Sequence, residues 1–252
     1  MPSLCRTARC FTSFVDKMPL EIILEVFGCL GVYSADDPST RMLSLACTTF
    51  RTAIVNSSTF WREVFVDLDK APTTDGLKWL HLKIERSQPS SIRCHIVGMQ
   101  ETAIPDPAVD SVLACCERWE ELFLSIHPDV LPTVISPVKG RLERLRKLSL
   151  SVLDISSGLR TLKIPACFKD APVLEHIEFL LLPHGDYSVL PLQQIQHCFI
   201  EDSWPFSAED FTPISPILSI LLHPESQLRE LHINTCRKTG NAPRYVHLTS
   251  KY

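Results

Sequence analysis

One spacing constrains this chain more than any other feature of it. Five segments share the pattern apolar-x-x-apolar-x-apolar: Trp119-x-x-Leu122-x-Leu124, Leu145-x-x-Leu148-x-Leu150, Leu174-x-x-Ile177-x-Phe179, Ile195-x-x-Cys198-x-Ile200 and Leu228-x-x-Leu231-x-Ile233. An earlier segment places Ile92, Cys94 and Ile96 on one side of a strand, with Cys94 at the equivalent centre. The central positions 94, 122, 148, 177, 198 and 231 are separated by 28, 26, 29, 21 and 33 residues. Strand side chains alternate, so the central and final apolar residues of each segment point to one face and the first packs beneath them. The roughly twenty residues between must cross back to start the next strand, and such a unit cannot bury its face until a neighbour stacks on it.

The mean step is near 27 residues, inside the range of about 20–29 for leucine-rich repeats. A step of 21 followed by one of 33 reads as one unit that lost residues and a next that gained a longer return. Short helical returns, apolar on one side, are predicted at 107–116, 155–162 and 211–222. No asparagine stands where regular repeats bond their own backbone, so the repeats are degenerate. The alternate strand positions line an open face: Glu121, Phe123 and Ser125; Lys147, Ser149 and Ser151; His176, Glu178 and Leu180; His197, Phe199 and Glu201; Glu230, His232 and Asn234. This mixture of acids, histidines and apolar groups suits a protein or peptide ligand better than a phosphate backbone. Phe123, Lys147, His176, Glu178, His197, Phe199, Glu230 and His232 are the candidate target-binding residues. Residues 237–252 lack apolar periodicity. A stacked array needs a capping unit, so the repeats are expected either to be truncated at the C-terminus or to be capped by a short strand at 245–248.

The front of the chain follows another rule. MPLEIILEVFGCL, residues 18–30, opens with Pro19 suited to a first helical turn. Ile22, Ile23, Val26, Phe27 and Leu30 recur at helical spacing, Leu20 and Leu24 widen the stripe, and Glu21 and Glu25 are the only charges. Asp37-Pro38 caps and opens a second helix, predicted to run to Val55 with Met42, Leu43, Leu45, Ala46, Cys47, Phe50, Ala53 and Ile54. Phe60-Trp61 opens a further short turn, and VFVDL alternates like a strand. About fifty residues build a core that is marginal alone, and the first helix has more apolar side chains than can all face inward. Each one covered by a partner would contribute about 1.5–3 kcal/mol gross, less the cost of association. The rival reading encloses the same residues in one larger domain. A membrane-surface helix would need Lys or Arg on its polar face, and this one carries only glutamate.

Composition narrows the classes further. Of 252 residues 45% are hydrophobic and 21% charged, the balance of a folded protein. A net charge of -4 and a pI near 6.1 argue against general binding to nucleic acid or anionic membranes. No run of eighteen apolar residues occurs. Ten cysteines include no CxxC pair, and Cys29, Cys47, Cys94 and Cys198 fall in apolar slots. That placement implies free thiols in a reducing compartment, cytoplasmic or nuclear. Nine histidines form no HxH or HExxH, and there is no GxSxG and no phosphate-cradling glycine loop. The expectation is no catalytic residue, no metal site and no cofactor, although His176, His197 and His232 would neighbour one another on adjacent strands.

In order, MPLEIILEVFGCL, LSLACTTFRTAI and SSTFW resemble an F-box: a Met-Pro start, an apolar first helix, a Leu-rich second helix with Cys and a basic residue, and a closing Trp. WLHLKIERSQPSSIRCHI and CERWEELFLSI after it resemble a large group of basidiomycete F-box proteins with leucine-rich-repeat-like tails. The resemblance implies an α+β chain: a disordered leader over 1–15, a small three-helix F-box over 16–68, and an irregular α/β leucine-rich-repeat-like solenoid arc over 69–252. The connector 31–39 is longer than the usual F-box turn. The resemblance further implies docking onto the Skp-type adaptor of a cullin–RING ubiquitin ligase. Pro19, Ile22, Ile23, Val26 and Phe27 would face the adaptor from the first helix, Leu43 and Leu45 from the second, and Trp61 from the third. Such a subunit is a substrate receptor and not itself an enzyme: it holds a target protein beside a charged ubiquitin carrier and raises its effective concentration. The alternative is an interaction scaffold that uses the same helices and surface without a ligase. A hydrolase with an unrecognised site is a third class.

Overall fold

The computed structural model describes residues 17–30, 34–100, 106–151, 163–180, 186–202, 214–223, 225–235 and 244–249. The leader expected at 1–15 and the helix expected at 155–162 lie outside the described residues. The chain divides into two units, Met1–Glu63 with His81–Ser90, and Val64–Leu80 with Ser91–Tyr252.

The first unit holds α1 (Leu20–Cys29), α2 (Pro38–Ala46), α3 (Thr48–Asn56) and a 3-10 turn at Ser58–Trp61. Pro19 caps α1, its carbonyl accepting from the backbone N–H groups of Ile22 and Ile23. The Asp37 carboxylate caps α2 by accepting from the Ser39 N–H at 2.7 Å, and Pro38 takes the first helical position. The second helix does not run to Val55 as expected. Cys47 is extended, with φ -158° and ψ 163°; it ends α2 and caps α3, its Sγ accepting from the Phe50 N–H at 3.5 Å. The following Thr48 and Thr49 are weak helix formers that favour starts over interiors. Ile23, Phe27, Ala53, Ile54, Phe60 and Trp61 form the core of this unit. Phe27 meets the rings of Phe50 and Phe60 edge-on at 5.2 and 5.8 Å. The Trp61 indole donates to the Ile54 carbonyl at 3.0 Å, and the Arg86 guanidinium lies 4.7 Å from the centre of its ring.

The second unit is built on a sheet whose strands follow chain order: β1 (Glu63–Asp67), β2 (Ile92–Gly98), β3 (Trp119–Ile126), β4 (Lys147–Ser151), β5 (His176–Leu180), β6 (His197–Asp202), β7 (Glu230–Thr235) and β8 (Arg244–Thr249). β1 to β7 run parallel and β8 pairs antiparallel with β7. The remaining helices are α4 (Thr74–Arg86), α5 (Pro107–Ala114), α6 (Leu131–Ile135) and α7 (Ile214–Leu221). Cys94, Leu122, Leu148, Ile177, Cys198 and Leu231 are partners in register across six strands. All six are buried. One residue before β4, at Arg146, the backbone N–H donates to the Glu120 carbonyl, and Gln196 and Arg229 donate in the same way to Glu175 and Gln196. The chain is therefore handed from one strand start to the next by the same backbone bond. Gln194 also ties its return to the preceding one, its amide donating to the carbonyls of Ala171 and Leu174 at 2.7 and 2.9 Å.

The expected α+β architecture, a three-helix F-box bundle followed by a solenoid arc, is corrected. Among the described residues the structure is an α/β fold with seven parallel strands in one sheet and seven α-helices. The helices of the first unit are broken at Cys47, and the strand expected to close the first module is the first strand of the sheet. The described parts of two returns carry short 3-10 turns, at Ala166–Asp170 and Leu192–Gln194. Helices expected at 107–116 and 211–222 form as α5 and α7. The strand expected at 245–248 forms as β8 and covers the edge of β7.

Candidate functional site

Two surfaces carry the candidate residues, one on each unit. On α1, Ile22, Val26 and Leu30 recur every four residues and so form one stripe. Ile22 is 50% exposed, Val26 42% and Leu30 63%, while Ile23 and Phe27 one position on are 2% and 0% exposed. The helix thus splits its apolar residues between the unit's own core and open surface. On α2, Met42 and Leu45 are also exposed, at spacing i, i+3. Of the expected adaptor-facing residues, Pro19, Ile22, Val26 and Leu45 are exposed and Leu43 is half-buried against the core. Ile23, Phe27 and Trp61 are instead buried in the core with Ala53, Ile54 and Phe60, and Phe50 packs against it. Leu20, Leu30 and Met42 are exposed residues of the same unit that the expected set left out. Their signal was their membership in the same apolar runs.

The long connector between α1 and α2 is fixed where it is described. The Ala35 N–H donates to the Phe60 carbonyl at 2.8 Å and the Thr40 hydroxyl to the Ser34 carbonyl at 2.6 Å. The buried Lys83 ammonium meets the Asp36 carboxylate at 2.5 Å. These bonds set where α2 begins relative to the core of its own unit.

On the second unit the open sheet face is ordered in rows by the strand register. Glu121, Lys147, His176, His197 and Glu230 form one row; Phe123, Ser149, Glu178, Phe199 and His232 form the next. All the expected target-binding residues thus share a face, each of them half-buried. Arg93 on β2 pairs with Glu121 at 3.0 Å and Lys147 with Glu178 at 2.6 Å. The His176 and His197 rings stack with centroids 5.7 Å apart. Glu178 lies 3.3 Å from His176, and Glu230 lies 3.1 Å from His197 and 4.0 Å from His232. Hydrogen bonding from His176, joined by Lys147 and Ser149, holds the Glu178 carboxyl down at about 2 against the opposing effect of burial. Phe65 on β1, 57% exposed, and Arg93 and His95 on β2 were missed in the target-binding set because the shared pattern begins cleanly only at β3.

Among the described residues no group of three or more His, Cys, Asp or Glu could hold a metal ion. Burial pushes the thiols of Cys167 and Cys198 up to about 12 and that of Cys115 up to about 11, so these cysteines stay protonated at neutral pH and are poor nucleophiles. Among the described residues no helix is long and apolar enough to cross a membrane. No family model, curated protein or solved structure matches the chain.

Proposed function

We propose that this chain is a substrate receptor of a cullin–RING ubiquitin ligase, acting in the cytoplasm or nucleus. The helical unit docks a Skp-type adaptor, and the open sheet face binds a target protein. One observation carries the reading: α1 keeps Ile22, Val26 and Leu30 on its outer side although its own core is already filled by Ile23 and Phe27. An exposed apolar stripe at helical spacing is the form that helix-in-groove association takes. The order of apolar, cysteine and tryptophan positions between 18 and 61, which resembles an F-box, names the adaptor class. The receptor contributes no bond chemistry; holding a target lysine near a charged ubiquitin carrier raises its effective concentration.

The test is co-purification of the full chain with a Skp-type adaptor. Wild-type chain forms a stable pair, and Ile22→Asp with Val26→Asp abolishes it while circular dichroism stays native, because neither residue belongs to the core. Pairing unaffected by the double change contradicts the reading. Ile23→Asp and Phe27→Asp are unsuitable probes, since they bury a charge in the core and unfold the unit.

A further inference from the structure

We infer that the sheet face around Phe199 binds an arginine side chain from a basic segment of the target. The inference rests on the reading of that face as the target surface. Phe199 occupies the middle of a block of nine positions on three adjacent strands. Glu178 and His232 are its register partners, and His197 and Glu201 flank it along its own strand. Parallel strand spacing makes the block roughly 10 by 13 Å, room for one long side chain lying across it. Glu178, Glu201 and Glu230 are three carboxylates within the block, and no lysine or arginine stands at any of its nine positions. Lys147, on the next strand, is engaged with Glu178. At the Glu230 corner the groups meeting the carboxylate are the imidazoles of His197 and His232.

The chemistry asks for a flat cation. A half-buried phenyl ring attracts a cation over its face, more often arginine than lysine. Carboxylates at the sides of that ring match the in-plane N–H fork of a guanidinium. The Asn234 carbonyl oxygen, also in the block, is a buried acceptor without a hydrogen-bond partner among the described residues. The same geometry ties the affinity to pH. His176, His197 and His232 face the block together with Glu178, Glu201 and Glu230, with Lys147 beside it and His247 at the register position opposite His232. Protonating His176, His197 and His232 offsets the three carboxylates charge for charge and removes the attraction for the guanidinium.

The test is fluorescence anisotropy on the full chain with three labelled peptides of equal length: arginine–glycine, the same peptide with citrulline for arginine, and glutamate–glycine. The arginine peptide binds, and citrulline, which keeps the shape and removes the charge, weakens binding about tenfold. Phe199→Ala and Glu230→Gln each weaken the arginine peptide about two- to fivefold with an unchanged urea midpoint. Moving from pH 7.5 to 5.5 weakens it further, and Glu230→Gln reduces that pH dependence. Arginine binding indifferent to both substitutions lies elsewhere on the chain and overturns the inference. If the citrulline or glutamate peptide binds instead and Phe199→Ala weakens it, arginine recognition is overturned while the face remains a target surface. If no peptide binds, the inference falls; if a panel of charge-reversed face variants also leaves ubiquitination of an identified target unchanged, the reading of the face falls with it.

Discussion

The two units dispose of their apolar residues in opposite ways. In the sheet unit the patterned residues go inward: Trp119, Leu145, Leu174 and Ile195 and the strand centres Leu122, Leu148, Ile177 and Cys198 are all essentially inaccessible. The face left open mixes charged, polar and aromatic residues and is tied by ion pairs. In the helical unit a core of six residues is closed, yet Leu20, Ile22, Val26 and Leu30 on α1 and Met42 and Leu45 on α2 remain outside. A unit of this size has more surface than its core can cover, and the excess is concentrated on its helices. On the proposed reading, the difference separates a surface that recognises through charge from one that associates through burial.

That comparison breaks most readily on paired truncations. Phe27→Ala and Phe179→Ala each remove a fully buried ring and lose about 3–5 kcal/mol in urea denaturation. Ile22→Ala, one turn-position away from the core, changes stability by no more than about 0.5 kcal/mol. Equal losses at Ile22 and Phe27 would mean that the stripe is structural. Next in size is Trp61→Phe, which leaves the Ile54 carbonyl without its indole donor and loses about 1–3 kcal/mol.

The sheet face has its own pH signature. Glu178 titrates at about 2 in the folded chain against an ordinary 4.5, so its paired carboxylate contributes stability that is fully present above pH 4.5 and is lost as pH falls through about 2. Acid titration of the unfolding midpoint therefore falls less steeply over that window in Glu178→Gln than in wild type. A curve unchanged by the substitution removes Glu178 as the linchpin of the face. A small effect is also expected at Lys83→Met. Lys83 is buried but Asp36 is 52% exposed and stays hydrated when its partner is lost, so the change in stability lies within about 1 kcal/mol of zero.

Much of the sheet was legible because alternation is a local property. The central residues at 94, 122, 148, 177, 198 and 231 could be read from the sequence alone, and they are register partners. The sharing of a face by His176, His197 and Glu230 follows from that register. The helical unit was read less well. Ile22 and Ile23 are chemically identical neighbours, and only the tertiary positions of Phe50 and Phe60 decide which one turns inward. The break at Cys47 interrupts a run whose apolar spacing continues unbroken; its visible signal was the pair of threonines just after it. Lys83 and Asp36, 47 positions apart, meet only through the fold. Gln194 satisfies two carbonyls from a loop position just before its strand segment, one that the apolar pattern does not mark.

Hydrogen–deuterium exchange on the full chain, alone and mixed with a Skp-type adaptor, tests the division between the surfaces most directly. The account predicts slowed exchange confined to peptides covering α1 and α2, with β2 to β7 unchanged. Protection that appears on the sheet strands, or none on the helices, contradicts it.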